Sequence, residues 1–152
     1  MTKKLNTPLP QSYVDSMPCD TGILLELGRV NWAAARLHFI VRDALNSLNN
    51  HPSNKPFDQT LGGALKTLKN RALDKNHPEI AEWVDSYGTS ANKHRNSVVH
   101  AITYTAEDGK QALMTTGRYG SKRLRNPELR EVTRFLIEAA ARFPASSTES
   151  DK

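Results

Sequence analysis

Apolar residues recur at Ile23, Leu27, Val30, Ala34, Leu37, Val41, Ala44 and Leu48, in alternating steps of four and three. At about 100° per residue this spacing holds them on one face and predicts a long amphipathic helix, capped by Asp20 or Thr21. The same spacing is that of a heptad seam, so the face can pack inside a bundle or against a second copy; in so short a helix the bundle is favoured. Gly28 within it permits close approach of a neighbour at some cost to the helix. Before it, residues 1–19 carry Pro8, Pro10 and Pro18 and little periodicity, which predicts an irregular N-terminal arm.

Pro52 and Pro56 force a loop over Asn49–Pro56, after which Phe57, Leu61, Leu65, Leu68 and Ala72 mark a second helix. His77-Pro78 opens a third, with Glu79 and Glu82 suited to a positive helix N-terminus. Ile80, Trp83, Val84, Tyr87, Ala91, His94 and Val98 keep its spacing to about Ala101, and Gly88-Thr89-Ser90 is the place for a kink or break. The pattern then changes. Ile102 and Tyr104 alternate with threonines, Asp108-Gly109 is a type I′ turn dipeptide, and Ala112, Leu113 and Met114 follow, so residues 101–119 are expected to form a β-hairpin or hairpin-like loop. Residues 118–125 form a basic connector. Asn126-Pro127-Glu128 reads as cap, first-turn proline and first-turn acid for a closing helix whose apolar face is Leu129, Val132, Leu136, Ala139 and Phe143. Pro144 ends it.

The implied fold class is all-α: a four-to-five-helix bundle with a small β-hairpin or long loop inserted before the last helix. The domain division is an arm at 1–19, a helical domain at 20–143 and a disordered tail at 144–152. A length of 152 residues supports one domain, and no apolar run is long enough for a membrane helix. No secretory signal follows Lys3 and Lys4, and Cys19 is the only cysteine, which leads us to expect a cytoplasmic protein. The net charge of +5 is concentrated. Residues 86–125 hold seven Lys and Arg against two acids, and the remainder of the chain is neutral. Such an excess in one segment is either a solvated loop or a face for an anionic partner.

The third helix carries the candidate chemistry, Arg95-Asn96-Ser97-Val98-Val99-His100. Asn96 and His100 lie one turn apart, while Arg95 is about 140° from His100. Cleavage of RNA by its ribose 2′-hydroxyl needs a proton acceptor, a proton donor for the leaving oxygen, and cationic donors at the phosphate. His100 can serve as acid or base, Arg95 can hold the phosphate, and Asn96 can orient either. One histidine cannot do both proton transfers, which predicts a homodimer that brings two copies of His100 together. The structural alternative pairs Arg95 with Asp85 or Glu138 and sets His100 against the carbonyls of the helix C-terminus.

This Arg-Asn-x3-His stretch, after a long first helix and before an insertion and a closing helix, resembles the HEPN superfamily (higher eukaryotes and prokaryotes nucleotide-binding domains). The resemblance extends over about residues 21–143, with the motif as its sharp part. It implies a metal-independent endoribonuclease, with no cofactor, of the sort found in toxin–antitoxin and defence systems. By the same resemblance the active site lies at a homodimer interface, with Arg95 and His100 as the motif pair and Asn96 beside them. Products would be a 2′,3′-cyclic phosphate and a 5′-hydroxyl, and an antitoxin or other regulatory protein would be a partner. Relatives that have lost catalysis make a nucleotide- or RNA-binding module the alternative, and a helical partner-binding protein is a third reading. Segment 101–119 is longer than a minimal bundle needs.

Lys93, Arg118, Lys122, Arg123 and Arg125 are candidate phosphate contacts, and Tyr119, with Tyr104, a candidate for base stacking. Trp32 and Trp83 read as core or interface anchors. His38, His51, His77 and His94 are scattered, with no metal-ligand spacing.

Overall fold

The computed structural model describes residues 8, 10–16, 20–51 and 57–144. Most of the arm, Cys19, Pro52–Pro56 and the tail from 145 onward lie outside these. A short helix, α1 (Gln11–Asp15), stands in the arm where irregular chain is expected; Pro10 precedes it and none of its residues is buried. The long helix α2 (Thr21–Leu48) begins as its pattern predicts, with the Asp20 carboxylate accepting from the Ile23 N–H at 3.0 Å. α3 (Leu61–Asp74) starts four residues after Phe57, because Thr60 supplies the cap through Gly63 N–H at 3.2 Å.

The third helical pattern is continuous but not uniform. α4 (Pro78–Trp83) passes through one turn of π-helix (Val84–Gly88) into α5 (Thr89–Val99). The weak point at Gly88 is thus a widened turn rather than a break. Its cause is tertiary: Trp83 is buried, and its indole N–H donates to the Ala139 carbonyl at 2.9 Å. A Cβ on Gly88 would come within 2.8 Å of Leu65 and 3.2 Å of the Trp83 ring.

After α5 come β1 (Ile102–Thr105), β2 (Gln111–Met114) and β3 (Arg123–Leu124), an antiparallel sheet in the order β1-β2-β3. The β1–β2 connection is not a two-residue I′ turn. Ala106 N–H donates to the Lys110 carbonyl and Gly109 N–H to the Ala106 carbonyl, with Gly109 at φ 76°, which is the three-residue loop with its last residue left-handed. The third strand lies in the expected basic connector, where Leu124 pairs with Leu113 and both are buried.

α6 (Asn126–Ala141) closes the bundle, its cap falling on Arg125, one residue before the one expected. It runs alongside α2 in the same direction, Gly22 against Asn126 and Glu26 against Arg130. It runs opposite to α5, His94 meeting Phe135 near one end and Trp83 meeting Ala139 and Phe143 near the other. Leu37, Leu68, Leu129, Leu136 and Val41 form the centre of one core. Glu26 of α2 is also buried, 1% exposed, with both Arg29 and Arg130 donating to the same carboxylate oxygen at 2.7 Å. The hydrogen bond from Arg130 does most to hold this carboxyl below the ordinary carboxylate range. No helix among the described residues is long and apolar enough to cross a membrane.

Gly88→Ala improves helix propensity yet should cost about 1–3 kcal/mol, since an overpacked methyl against Leu65 and Trp83 outweighs the gain. Urea unfolding measures it; unchanged stability would mean that the turn widens for another reason.

Candidate functional site

Ser90, Lys93, His94 and Ser97 recur at helical spacing and form a polar stripe on α5 beside buried Ala91 and Val98. Because α5 packs on α6 and is followed at once by the sheet, this stripe becomes one wall of an open groove of about 570 Å³. Arg118, Tyr119 and Lys122 from the loop after β2 line it too, as do Glu128 and Glu131 of α6. Both carboxylates are engaged by arginines that do not line the groove. Glu128 pairs with Arg125 at 2.7 Å and Glu131 with Arg134 at 2.6 Å. Among the described residues Lys93, Arg118 and Lys122 make no ion pair, so the groove's free charge is positive.

Two adjacent threonines place the loop. Thr115 is 3% exposed; its hydroxyl donates to the Gly120 carbonyl at 2.5 Å and accepts from the Lys122 N–H at 3.0 Å, closing the turn that carries Tyr119. Gly117 and Gly120 within this turn have φ of 57° and 73°, conformations that glycine adopts without strain. The Thr116 hydroxyl donates to the His100 carbonyl at 3.0 Å, tying the loop to the end of α5.

That tie sets Tyr119 beside His100. Their rings are within 8° of parallel with centroids 6.3 Å apart, and Arg118 lies over Tyr119 at 5.1 Å. His100 occupies the C-cap of α5 and is exposed, and its ring makes no hydrogen bond or ion pair among the described residues. It therefore keeps both ring nitrogens for an incoming group.

Arg95 and Asn96 are placed otherwise. Arg95 donates to the Asn96 side-chain carbonyl at 2.9 Å, both are half-buried, and neither lines the groove. The acids that could have taken Arg95 are occupied: Asp85 by Lys69, and Glu138 by Arg134 and Arg142. None of Arg95, Asn96 and His100 lines the groove itself; His100 lies beside its Tyr119, with centroids 6.3 Å apart, and Arg95 is bonded to Asn96.

Of the five predicted phosphate contacts, Lys93, Arg118 and Lys122 share the groove with Tyr119. Arg123 and Arg125 do not. They border a smaller hollow of about 270 Å³ on the other side of Leu124, where Arg123 reaches Asp108 at 3.7 Å and Arg125 is held by Glu128. Glu128 is lowered to about 2, chiefly by the hydrogen bond from Arg125. Arg125 is a capping residue here, consumed by its own helix. Tyr104 is half-buried on β1, outside the groove.

The residue that the spacing argument passed over is His94. It lines the groove, stacked on Phe135 with centroids 4.0 Å apart and planes 10° from parallel. Burial, reinforced by the charge of neighbouring Lys93, holds its imidazole below the ordinary histidine range, and Glu131 opposes this only in part. His94 is accordingly neutral at pH 7. The signal for it was the serine–lysine–histidine–serine stripe, which flanks the apolar face at the same period. Among the described residues no cluster of three or more His, Cys, Asp or Glu side chains is arranged to hold a metal ion. Comparison with protein-family models, with curated proteins and with solved structures finds no match to this chain.

Thr115→Val preserves shape but strands the Lys122 N–H and the Gly120 carbonyl, and should cost about 2 kcal/mol and disorder the loop. Amide exchange at Lys122 reports it, and exchange as slow as in the wild type would contradict the assigned role. His94 supplies a pH test. Its lowered pKa means that the unfolded chain takes up a proton first, so its stabilising contribution is complete above about pH 6.5 and is lost as pH falls through the folded value. The fall in melting temperature between neutral and mildly acidic pH should be smaller in His94→Gln than in the wild type; equal falls would show that His94 contributes nothing.

Proposed function

We propose that the chain is a metal-independent endoribonuclease that holds single-stranded RNA in the groove between α5, the β2–β3 loop and α6. The observation that carries this reading is the placement of Tyr119. It lies in the cationic groove and also against the free imidazole of His100. A base can stack on Tyr119 while Lys93, Arg118 and Lys122 take the phosphates on either side.

In this reading the two proton carriers are His94, which lines the groove, and His100, which lies beside Tyr119 at its edge. His94, neutral at pH 7, accepts the proton of the ribose 2′-hydroxyl; the 2′-oxygen bonds to phosphorus as the bond to the 5′-oxygen breaks, and His100 gives that oxygen its proton. The products are a 2′,3′-cyclic phosphate and a 5′-hydroxyl. Positive side chains along the groove offset the charge that grows on the phosphorane. With two imidazoles in one chain, the reaction does not require a site shared between two copies of His100. The HEPN resemblance extends the reading to a cytoplasmic toxin or defence effector restrained by an antitoxin-like partner.

A second reading draws on the position of Arg95. Its guanidinium is bonded to Asn96 and lies outside the groove, which favours a non-catalytic RNA- or nucleotide-binding module with the same cationic wall. One experiment separates the two. In a single-stranded RNA cleavage assay with end-group analysis, His100→Ala and His94→Gln should each lower the rate by ~10²–10⁴-fold while leaving affinity nearly unchanged. Replacing Lys93, Arg118 and Lys122 with glutamine should weaken binding and reduce the salt slope by about 2. Binding without any product in the wild type would establish the module; no salt-dependent binding would remove both readings.

A further inference from the structure

On α2, Gly28 stands in mid-helix, where glycine is the poorest helix former after proline. Nothing among the described residues calls for it. A Cβ there would meet no atom within 4 Å, in contrast to Gly88, which is pressed by Leu65 and Trp83. Around Gly28 the helix displays a second apolar stripe, opposite the one facing the core. Trp32 is 79% exposed, and Leu24, Leu25 and Phe39 are each about half exposed. Ile137 of α6, also more than half exposed, joins them across a groove of about 690 Å³ whose walls include the small residues Ala33, Ala140 and Ala141.

We infer that this face, α2 with the adjoining edge of α6, docks a second copy of the same chain, with the two α2 helices crossing antiparallel at Gly28. Three observations select a second copy. First, a two-fold axis at Gly28 places residue i opposite residue 56 minus i, so Trp32 falls opposite Leu24 of the other copy, and each copy makes the contact twice. Second, the same register sets Arg36, which has no ion pair among the described residues, opposite Asp20, whose carboxylate caps α2 from an exposed position. The patch is therefore complementary to itself in charge. Third, Leu24, Leu25, Trp32 and Ile137 around the groove expose roughly 500 Å² per copy, more than half of the ~800 Å² that each partner contributes to a standard interface and near the limit of what a lone chain leaves bare.

The missing Cβ at Gly28 lets the two backbones approach closely, with Trp32 closing over the crossing. This association does not rest on the RNA reading. Its face lies on the opposite side of α6 from the cationic groove, since Thr133, Ile137, Ala140 and Ala141 line the one and Pro127, Glu128, Glu131 and Val132 the other. A dimer formed this way leaves both cationic grooves open and keeps the two His100 side chains apart.

Sedimentation equilibrium of the full chain, from micromolar to millimolar concentration, tests it. The wild type should dimerise with concentration. Gly28→Gln and Trp32→Glu should each shift the dimer dissociation constant upward at least tenfold, and Gly28→Gln, measured dilute, should melt no lower than wild type, since the new side chain enters open space. Asp20→Asn, which keeps the cap, and Arg36→Gln should each weaken the dimer, and a double-mutant cycle should find the two losses non-additive. A wild type that is monomeric throughout overturns the inference. So does a dimer that tolerates both Gly28→Gln and Trp32→Glu, since it must use another face.

Discussion

The site depends on the buried hydroxyl of Thr115. A chain leaving β2 with Gly117 and Gly120 ahead of it has backbone freedom enough for many loop shapes, and only one of them sets Tyr119 beside His100. Thr115 selects that shape by satisfying a carbonyl at Gly120 and an N–H at Lys122 from one oxygen, in a place where water does not compete. Thr116 then fixes the selected loop to the C-terminus of α5 through the His100 carbonyl. The groove's cations follow passively, Arg118 beside Tyr119 and Lys122 one residue before β3.

α6 organises everything else. One of its edges packs α5 and sets the floor of the cationic groove; the other meets α2 and borders the apolar groove. The two neighbours run in opposite directions along it, so the Asp20 cap, the end of α5 and the start of α6 gather at one end of the bundle together with the sheet. The widened turn at Val84–Gly88 belongs to the same packing. It lets Trp83 reach the Ala139 carbonyl while Gly88 lies flush against Leu65 and the indole ring, so the α4–α5 rod stays continuous although its turn is wider there.

Much of this was legible in the sequence because periodicity survives folding. The α6 stripe is the buried face of its helix except for half-buried Phe143. On α2, Val30, Ala34, Leu37 and Val41 are buried as expected, Ile23, Leu27, Ala44 and Leu48 are half-buried, and Ala33 and Leu45 join the core from beside the stripe, while Asp20 caps as its type and place require. The departures have physical causes that lie outside any local window. β3 is two residues long and exists because Leu124 finds Leu113 across the sheet. The π-turn has helical backbone angles on both flanks and no proline to announce it. Trp32 and Trp83 both read as anchors, and only the fold separates them, one buried and hydrogen-bonded, the other standing out beside Gly28. His94 sits at the border of the apolar stripe, where spacing alone cannot tell a core position from the wall of a groove.

The segmental charge shows most plainly where counting stops and geometry begins. Seven cations in residues 86–125 looked like one field, yet they divide by their neighbours. Arg125 is spent three residues downstream on Glu128, a pairing that Arg-x-x-Glu ahead of a helix already spells out, and Arg123 reaches Asp108 through strand register that no local pattern encodes. Arg95 is bonded to Asn96. Lys110 borders the smaller hollow and makes no ion pair among the described residues, while Lys93, Arg118 and Lys122 line the same groove as His94 and Tyr119. The groove thus gathers three cations with no ion pair among the described residues beside His94 and Tyr119, and His100 lies next to Tyr119. The neutralised arginines cap the last helix and anchor the sheet, so the groove keeps its shape as its charge is met.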